Sequence, residues 1–321
     1  MADLEQLATV GYTVVPGIVG PEDCRRAREL LDDIFGPCGE SAEEHIRAKG
    51  WELSHYLTPR AEPDDAAFWA SASPFLQTKN FYHDVRHPIR DSATAALINE
   101  KMVEVVGECL RSDDLKLLQQ YLVRTDYRPG PYPERPGFHA DHASLPAQYD
   151  ATPSQHYLLA MLALSDVPSG GAATVMGRGT LQRARELATK YQEEEPEWCL
   201  GLHDEDFRNE LRSRIGSEQL TDPEPMELTC SEGDLIVIDP MALHASMPMR
   251  HHGKSRYVCF NAFFDASAAG AALRPTRGAT EPAAKFPPEL RDGLPPSLRS
   301  LLDWELPADT HTQSKKMRAL L

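Results

Sequence analysis

The pattern of hydrophobic and polar positions changes about a third of the way along the chain. In the first part, apolar residues recur every three or four positions. This spacing predicts a helix between Pro21 and Gly36 and a second helix at about 94–110. A weakly helical segment at 3–9 leads into a short predicted strand at 11–15.

From residue 115 onward, short apolar runs of strand length alternate with turn residues. The predicted strands lie at 117–124, 157–164, 172–176, 234–238 and 257–264, with Gly, Pro and Ser between them. Short strands divided by turn signals predict an antiparallel sandwich or barrel. The predicted fold class is therefore mainly β with flanking helices.

We interpret residues 1–321 as one catalytic domain. In this interpretation residues 1–114 are helical and irregular, and residues 115–265 form the β core. A polar, acidic stretch at 181–228 interrupts the core and is interpreted as a helical insertion over one end of the barrel. The Pro- and Ala-rich tail, 266–321, is predicted to be irregular apart from a helical patch near 296–303.

Composition and charge narrow the classes of function. Of the 321 residues, 41% are hydrophobic and 26% are charged, as in ordinary soluble globular proteins. The formal net charge is −16 and no run is rich in Lys or Arg. Such a charge repels phosphate backbones and anionic lipids, so we expect neither nucleic acid nor membrane as a partner.

The N-terminus and the cysteines predict a cytoplasmic protein. The chain is acidic from its third residue and lacks the basic and apolar regions of a signal peptide. No apolar run approaches the ~20 residues that a transmembrane helix needs. The six cysteines form no C-x-x-C pair, which indicates buried, reduced thiols and argues against a zinc site.

An H-x-D motif, His139-Ala140-Asp141, is the first candidate for metal binding. Side chains two positions apart point to the same side of an extended chain, so both can hold one ion. His244, which follows an apolar strand and a short loop, supplies a distant second histidine. Two histidines and one carboxylate form the facial triad of non-haem iron oxygenases, which leaves coordination positions open. An isolated H-x-D motif also arises by chance, and His244 alone is equally compatible with a core histidine.

Two polar residues follow His244 at spacings that favour carboxylate binding. Arg256 opens a strand twelve residues downstream, and arginine binds carboxylates through two parallel hydrogen bonds. Ser246 is two residues beyond His244, where its hydroxyl points the same way. A dicarboxylate co-substrate would use both groups, whereas a surface salt bridge is the alternative role for Arg256.

In this order, the motifs resemble the phytanoyl-CoA dioxygenase-like branch of the Fe(II)/2-oxoglutarate oxygenases over roughly residues 5–265. Besides the H-x-D loop and the downstream arginine, the resemblance includes the segment 11–17 with its following helix, the Ser169-Gly170-Gly171 turn and Gly233-Asp234. It implies a double-stranded β-helix, which is a jelly-roll, cupin-like barrel with helices outside.

The resemblance also implies cofactors and a reaction. His139, Asp141 and His244 match the ligands of Fe(II), while Arg256 and Ser246 match the residues that hold the far carboxylate of 2-oxoglutarate. Enzymes of this type consume O2 and 2-oxoglutarate and release succinate and CO2. Halogenases of the class carry a small residue in place of the carboxylate ligand. The presence of Asp141 therefore favours hydroxylation, or a related desaturation or ring-forming oxidation.

Three further residues are carried over from the family pattern with less agreement. The family often has a Gln and then a Lys or Asn on one face of the strand before the H-x-D loop. Gln120 and Arg124 are similar, which implies that Arg124 contacts 2-oxoglutarate and that Gln120 faces the substrate. Where the family commonly has a Pro-Gly-Ser-His turn, this chain has the segment 176–180, which places Arg178 near the mouth of the site.

Aromatic and polar residues near the motif are candidates for substrate contact. Phe138 and His142 flank the H-x-D motif, and His142 is also an alternative ligand. The family usually draws its lid from the aromatic, loop-rich region before residue 94. Candidates there are Trp51, Trp69, Phe75 and Tyr82, which are otherwise core residues.

The sequence leaves other functions open. A metal-dependent cupin-type enzyme without 2-oxoglutarate would keep the barrel and ligands but have no use for Arg256 near the metal. A non-catalytic barrel that binds a partner would be expected to lose a ligand, and none is missing. A peptide substrate needs an open groove, whereas the aromatic loops and acidic insertion favour a small molecule. A coenzyme A thioester would need a basic rim, and Arg178, Arg183 and Arg185 are the nearby cluster.

Overall fold

The computed structural model describes residues 1–38, 42–50, 79–82, 92–127, 138, 157–194, 224–267, 286 and 288–304. The α-helices within these ranges are α1 (Leu4–Val10), α2 (Pro21–Phe35), α3 (Ala42–Ala48), α4 (Glu100–Leu110), α5 (Thr180–Glu194) and α6 (Pro288–Gly293). 3-10 helices cover Ser92–Leu97 and Pro296–Leu302. The strands are β1 (Tyr12–Val15), β2 (Lys79–Tyr82), β3 (Leu115–Asp126), β4 (Tyr157–Ala163), β5 (Thr174–Gly177), β6 (Pro225–Leu228), β7 (Leu235–Ile238), β8 (His244–Ser246) and β9 (Ser255–Asp265).

Capping residues set the ends of the N-terminal helices. The Asp3 carboxylate accepts a hydrogen bond from the backbone N–H of Gln6, and Gly11 ends α1 with a left-handed φ of 90°. Pro21 occupies the first turn of α2, where its missing N–H costs nothing. The Asn99 side chain caps α4 in the same way as Asp3 caps α1.

The strands form two antiparallel sheets. The large sheet has the order β1-β7-β4-β9-β3-β2, and the small sheet has the order β6-β5-β8. The long strands β3 and β9 pair along almost their whole length, with one irregularity between Leu117 and Gln119. The predicted mainly-β architecture with flanking helices is confirmed.

Alternate residues of the large sheet contact two different apolar layers. On β4, Leu158, Ala160 and Leu162 pack with the helices, whereas Leu159 and Met161 belong to a second cluster. That second cluster also contains residues of the small sheet and its loops, namely Met176, Leu228 and Leu243. The second cluster therefore lies between the two sheets, and we call the sheet surfaces that line it the inner faces.

Several predicted boundaries are wrong. The end of the predicted insertion, 225–228, is strand β6 of the small sheet, and β2 adds a strand to the part predicted as helical and irregular. In the tail, the helical patch predicted near 296–303 is confirmed as the 3-10 helix Pro296–Leu302, whereas α6 (Pro288–Gly293) was not predicted. The indole N–H of Trp304 donates to the Leu117 carbonyl at 3.0 Å, and its ring meets Phe264 edge-on. The two strands exist because they pair with β3 and β5, and the tail segment is held by apolar burial. None of the three has a periodic pattern long enough to be recognised in the sequence.

No helix of the described part of the chain is long and apolar enough to span a bilayer. The cysteines that the structure describes form no disulfide with one another, and Cys24, Cys109 and Cys259 are buried. Burial raises the pKa of Cys24 to about 11 and that of Cys109 to about 12. Thiols of this kind are poor nucleophiles and poor metal ligands near neutral pH, because the reactive thiolate is scarce.

Candidate active site

His244 is the first residue of β8 and lies on the inner face of the small sheet. It stands opposite Met176 of β5, which belongs to the cluster between the sheets, and only 7% of His244 is exposed. Its Nδ1 lies 2.9 Å from the carbonyl oxygen of Ala242. A carbonyl only accepts hydrogen bonds, so Nδ1 carries the proton and Nε2 carries the lone pair that a metal ion would take.

Arg256 is a buried cation at the start of β9. Its exposed fraction is 2%, and its guanidinium donates to the Ala172 carbonyl at 2.7 Å, the Thr174 hydroxyl at 3.1 Å and the Met161 sulfur at 3.1 Å. All three acceptors are neutral, and no carboxylate of the described residues forms an ion pair with Arg256. Burial lowers its pKa to about 10, because desolvation disfavours the charged form. The Nε atom is buried without a hydrogen-bond partner in the described part of the protein.

The strand register brings Arg256 to the side of the sheet that faces His244. Ser246 stands opposite Thr174, and the Thr174 hydroxyl accepts the hydrogen bond from Arg256. Directly opposite residues of an antiparallel pair project to the same face, so Ser246 shares the inner face with Thr174. The structure thus brings together the predicted group of His244, Ser246 and Arg256.

An unusual backbone conformation helps to hold Arg256. Ala172 follows the Gly170-Gly171 turn with φ 60°, a left-handed conformation that costs a non-glycine residue about 1–2 kcal/mol. This conformation accompanies the hydrogen bond from Arg256 to the Ala172 carbonyl. Sequence reasoning did not identify Thr174, Met161 or Ala172. The Thr inside an otherwise apolar strand was the only available signal.

The H-x-D motif lies mostly outside the described residues, which include neither His139 nor Asp141. Phe138, the residue immediately before the motif, packs against the cluster between the sheets. The chain therefore enters the motif from the same cluster that contains Leu243, the neighbour of His244. Within the described ranges no group of three or more His, Cys, Asp or Glu side chains is arranged to hold a metal. The triad stays a prediction.

The predicted role of Arg124 is wrong. Arg124 stands opposite Tyr257 on β9, one residue out of phase with Arg256, so it lies on the outer face of the large sheet. Its guanidinium donates to the Gly36 carbonyl at 2.5 Å, to Asp32 at 3.2 Å and to Asp126 at 2.9 Å. It satisfies the carbonyl end of α2, where a cation is favourable, and its charge is neutralised by two carboxylates.

The predicted role of Gln120 in facing the substrate is wrong for the same reason. Gln120 stands opposite Asn261 on the outer face, and its amide nitrogen donates to the Thr94 carbonyl at 3.2 Å. The β3 residues on the inner face are instead those opposite Arg256, Val258 and Phe260 of β9. They are Thr125, Val123 and Tyr121.

The remaining candidates are placed only in part. Arg178 follows β5 on the exposed surface, where its Nε lies 3.0 Å from the carboxylate of Glu224. Tyr82 ends β2. The other candidates, which are His142, Trp51, Trp69 and Phe75, lie outside the described residues.

Comparisons with known proteins identify relatives of this architecture. A family model described as phytanoyl-CoA dioxygenase (PhyH) matches residues 7–256. The structure is similar to SnoK, a non-haem alpha-ketoglutarate-dependent carbocyclase from nogalamycin biosynthesis, with 12% identity, a TM-score of 0.50 and coverage of 85% of this chain and 90% of that one. It is also similar to AviO1 from Streptomyces viridochromogenes Tue57, with 12% identity, a TM-score of 0.49 and coverage of 82% and 94%.

A third similar structure is HygX from Streptomyces hygroscopicus, solved with nickel, 2-oxoglutarate and hygromycin B bound. It is 13% identical, with a TM-score of 0.45 and coverage of 82% of this chain and 86% of HygX. A search of curated proteins found no match. At 12% identity the likeness to SnoK speaks for the fold alone, and with the family match it confirms the predicted jelly-roll fold.

Proposed function

Because this chain belongs to the phytanoyl-CoA dioxygenase family, we propose that it hydroxylates an unactivated C–H bond of a small organic molecule. It is a non-haem iron and 2-oxoglutarate-dependent oxygenase, and succinate and CO2 are the co-products of this class. The proposal goes beyond the class in two respects, which are the type of oxidation and the size of the substrate.

The observation that carries the use of 2-oxoglutarate in this proposal is the buried, unneutralised charge of Arg256. Isolating a cation from water costs several kcal/mol unless an anion compensates it. The described residues offer Arg256 only a carbonyl, a hydroxyl and a thioether. The distal carboxylate of 2-oxoglutarate supplies the missing anion, and the Ser246 hydroxyl on the same face is a second donor for it.

The described donor of the metal site fits iron. His244 presents Nε2 because its Nδ1 proton is held by the Ala242 carbonyl. We assign His139 and Asp141 as the other two ligands, which completes a facial triad of two imidazoles and one carboxylate. When bound, iron and 2-oxoglutarate together supply the oxidising power for C–H cleavage.

The protein side chains orient the co-substrate and keep water away from the metal site. Thr174 and the Ala172 carbonyl fix the guanidinium plane of Arg256, so that the bound carboxylate has one orientation. The apolar cluster between the sheets, which Phe138 joins, excludes water from the space beside His244. With Asp141 as a carboxylate ligand, no position would be left for a halide, which supports hydroxylation over halogenation.

The first test is anaerobic addition of Fe(II) and 2-oxoglutarate to the apo protein. We expect a weak visible charge-transfer band in the wild type that requires both components and is absent in Asp141→Ala. In Arg256→Gln, we expect 2-oxoglutarate affinity to fall by about thirtyfold or more, as when one partner of a buried ion pair is removed. The apo variant should unfold at or above the wild-type midpoint, because an uncompensated buried charge is removed.

Two controls make this test decisive. Arg291→Gln removes an exposed arginine that pairs with Asp303 and should leave the band and the affinity unchanged. A wild type that binds iron but gives no band would reject the 2-oxoglutarate assignment in favour of a cupin-type metal enzyme. Hydroxylation itself is tested by screening small molecules for succinate release and for a product that carries one oxygen atom from O2.

A further inference from the structure

Helix α5 is bonded to the loop that presents His244, and we propose that Thr180 and the Arg185–Asp239 pair are positioning groups for this iron ligand. The loop, residues 239–243, connects β7 to β8. The inference rests on the proposed function, because it takes His244 as a ligand. It adds side chains that neither touch the metal nor contact the co-substrate.

Thr180, the first residue of α5, makes the contact closest to the ligand. Its hydroxyl accepts a hydrogen bond from the backbone N–H of Leu243 at 3.1 Å and donates to the Gly177 carbonyl at 2.8 Å. The Gly177 N–H in turn donates to the Leu243 carbonyl at 2.8 Å. The residue that immediately precedes His244 is therefore held on both its N–H and its carbonyl.

The Arg185–Asp239 pair fixes the other end of the loop. Asp239 is fully buried, and one carboxylate oxygen accepts from the N–H of Met241 at 3.0 Å. The other oxygen accepts from the Arg185 guanidinium at 3.2 Å, and Arg185 also donates to the Ala8 carbonyl at 3.0 Å. One ion pair thus joins α5, the end of α1 and the loop.

A structural role alone does not account well for this pair. Burying two charges costs several kcal/mol per ion before their attraction is counted, and apolar replacements are often neutral or stabilising. An apolar pair could not supply the side-chain hydrogen bonds that fix the geometry of this loop. The Asp239 carboxylate supplies such a bond, which it accepts from the Met241 N–H at 3.0 Å.

These contacts act on His244 through one atom. The Ala242 carbonyl accepts the Nδ1 proton of His244, so the position of Ala242 selects the tautomer that leaves Nε2 for the metal. A loop released from α5 would loosen this hydrogen bond and lower the affinity for the metal. Partners that orient a ligating histidine typically contribute 10–100-fold to metal affinity.

The test uses small, nearly isosteric changes. Thr180→Val removes the hydroxyl, Thr180→Ser keeps it, and Asp239→Asn keeps an acceptor for Met241 while removing the charge that faces Arg185. For each variant we would measure the Mn(II) and Fe(II) dissociation constants without 2-oxoglutarate, and the urea unfolding midpoint. Nitrogen NMR of the apo protein would report the His244 tautomer, which a purely structural role would not move.

We expect Thr180→Val and Asp239→Asn to bind metal about tenfold more weakly and to lose the Nδ1–H tautomer. Thr180→Ser should restore both. Arg183→Gln, on the same helix but paired with the exposed Glu186, is the matched control and should match the wild type. Wild-type metal affinity and tautomer in a folded Thr180→Val would overturn the inference. A wild type that binds metal but gives no band with 2-oxoglutarate would instead overturn the proposed function.

Discussion

Two almost fully buried arginines on neighbouring strands have opposite electrostatic surroundings. Arg124 has the carboxylates of Asp126 and Asp32 beside it, so its charge is compensated within the protein. Arg256 has no carboxylate among the described residues. A compensated buried charge needs no further anion, and removing one partner destabilises the fold, whereas an uncompensated one is available to a ligand. Burial alone does not distinguish these two roles. The chemical identity of the groups that accept hydrogen bonds from each guanidinium does.

At the residue scale we therefore predict opposite effects for the two arginines. Arg124→Met removes the cation that compensates the buried Asp126 carboxylate, which should lower the free energy of unfolding by about 3 kcal/mol or more. The folded fraction should bind 2-oxoglutarate as tightly as the wild type does. Urea denaturation and titration of the charge-transfer band measure the two quantities. Arg124→Lys, which keeps a positive charge, should lose less stability. A folded Arg124 variant with weakened 2-oxoglutarate binding would contradict the corrected role.

The sequence led to His244, Ser246 and Arg256 because their order and spacing can be recognised without knowing how the strands pair. It misplaced Arg124 and Gln120 because a shift of one residue moves a strand side chain to the other face. The run around them has apolar residues of both layers, for example Leu122 outside and Val123 inside, so alternation does not reveal the face. Only the pairing of β3 with β9 does.

At the scale of elements, the end of α1 fixes the loop before His244. Gly11 ends α1, and its carbonyl accepts from the Asp239 N–H at 2.8 Å. A Cβ atom added to Gly11 would lie 2.5 Å from the Cβ of Ala242. The close approach of these two backbones therefore requires glycine, in addition to the positive φ of 90°.

We predict that Gly11→Ala lowers the free energy of unfolding by about 3 kcal/mol, of which about 1 is backbone strain and about 2 is overpacking. Gly50→Ala is the matched control, because Gly50 also has a positive φ, 73°, but no atom near its added Cβ. It should lose only the strain contribution. Urea denaturation of both variants checks the difference. Equal losses would show that Ala242 gives way and that the contact does not constrain the loop.

Strands were predictable where they carry a run of apolar residues, and helices where apolar residues recur at helical spacing. The long helix α2 and the strands β3, β4 and β9 were recognised because each presents several consecutive apolar positions. Strands β6 and β8, of four and three residues, carry too few positions for a period and exist because they pair with β5. Strand β8, which presents His244, was thus the least predictable element of the site.

At the scale of the whole molecule, the charge distribution bears on the substrate. The net charge is −16, and the arginines closest in sequence to the end of β5 are already matched by acids. Arg178 lies beside Glu224, Arg183 beside Glu186, and Arg185 is buried against Asp239. The described part of this region therefore has no surplus of positive charge with which to receive phosphate groups. An uncharged or cationic substrate meets no such repulsion.

We predict that coenzyme A, the shared part of all coenzyme A thioesters, does not bind this protein with a dissociation constant below about 1 mM. Calorimetric titration of the Mn(II) and 2-oxoglutarate complex at low and at physiological ionic strength measures this, because repulsion by net charge is screened by salt. The double variant Glu186→Gln and Glu224→Gln, which unmatches Arg183 and Arg178, should bind coenzyme A more tightly than the wild type. Micromolar binding by the wild type that weakens with salt would show a basic site and would favour a coenzyme A thioester as the substrate. If the double variant binds coenzyme A and the wild type does not, the pairing of Arg178 and Arg183 with acids is what prevents this protein from binding thioesters.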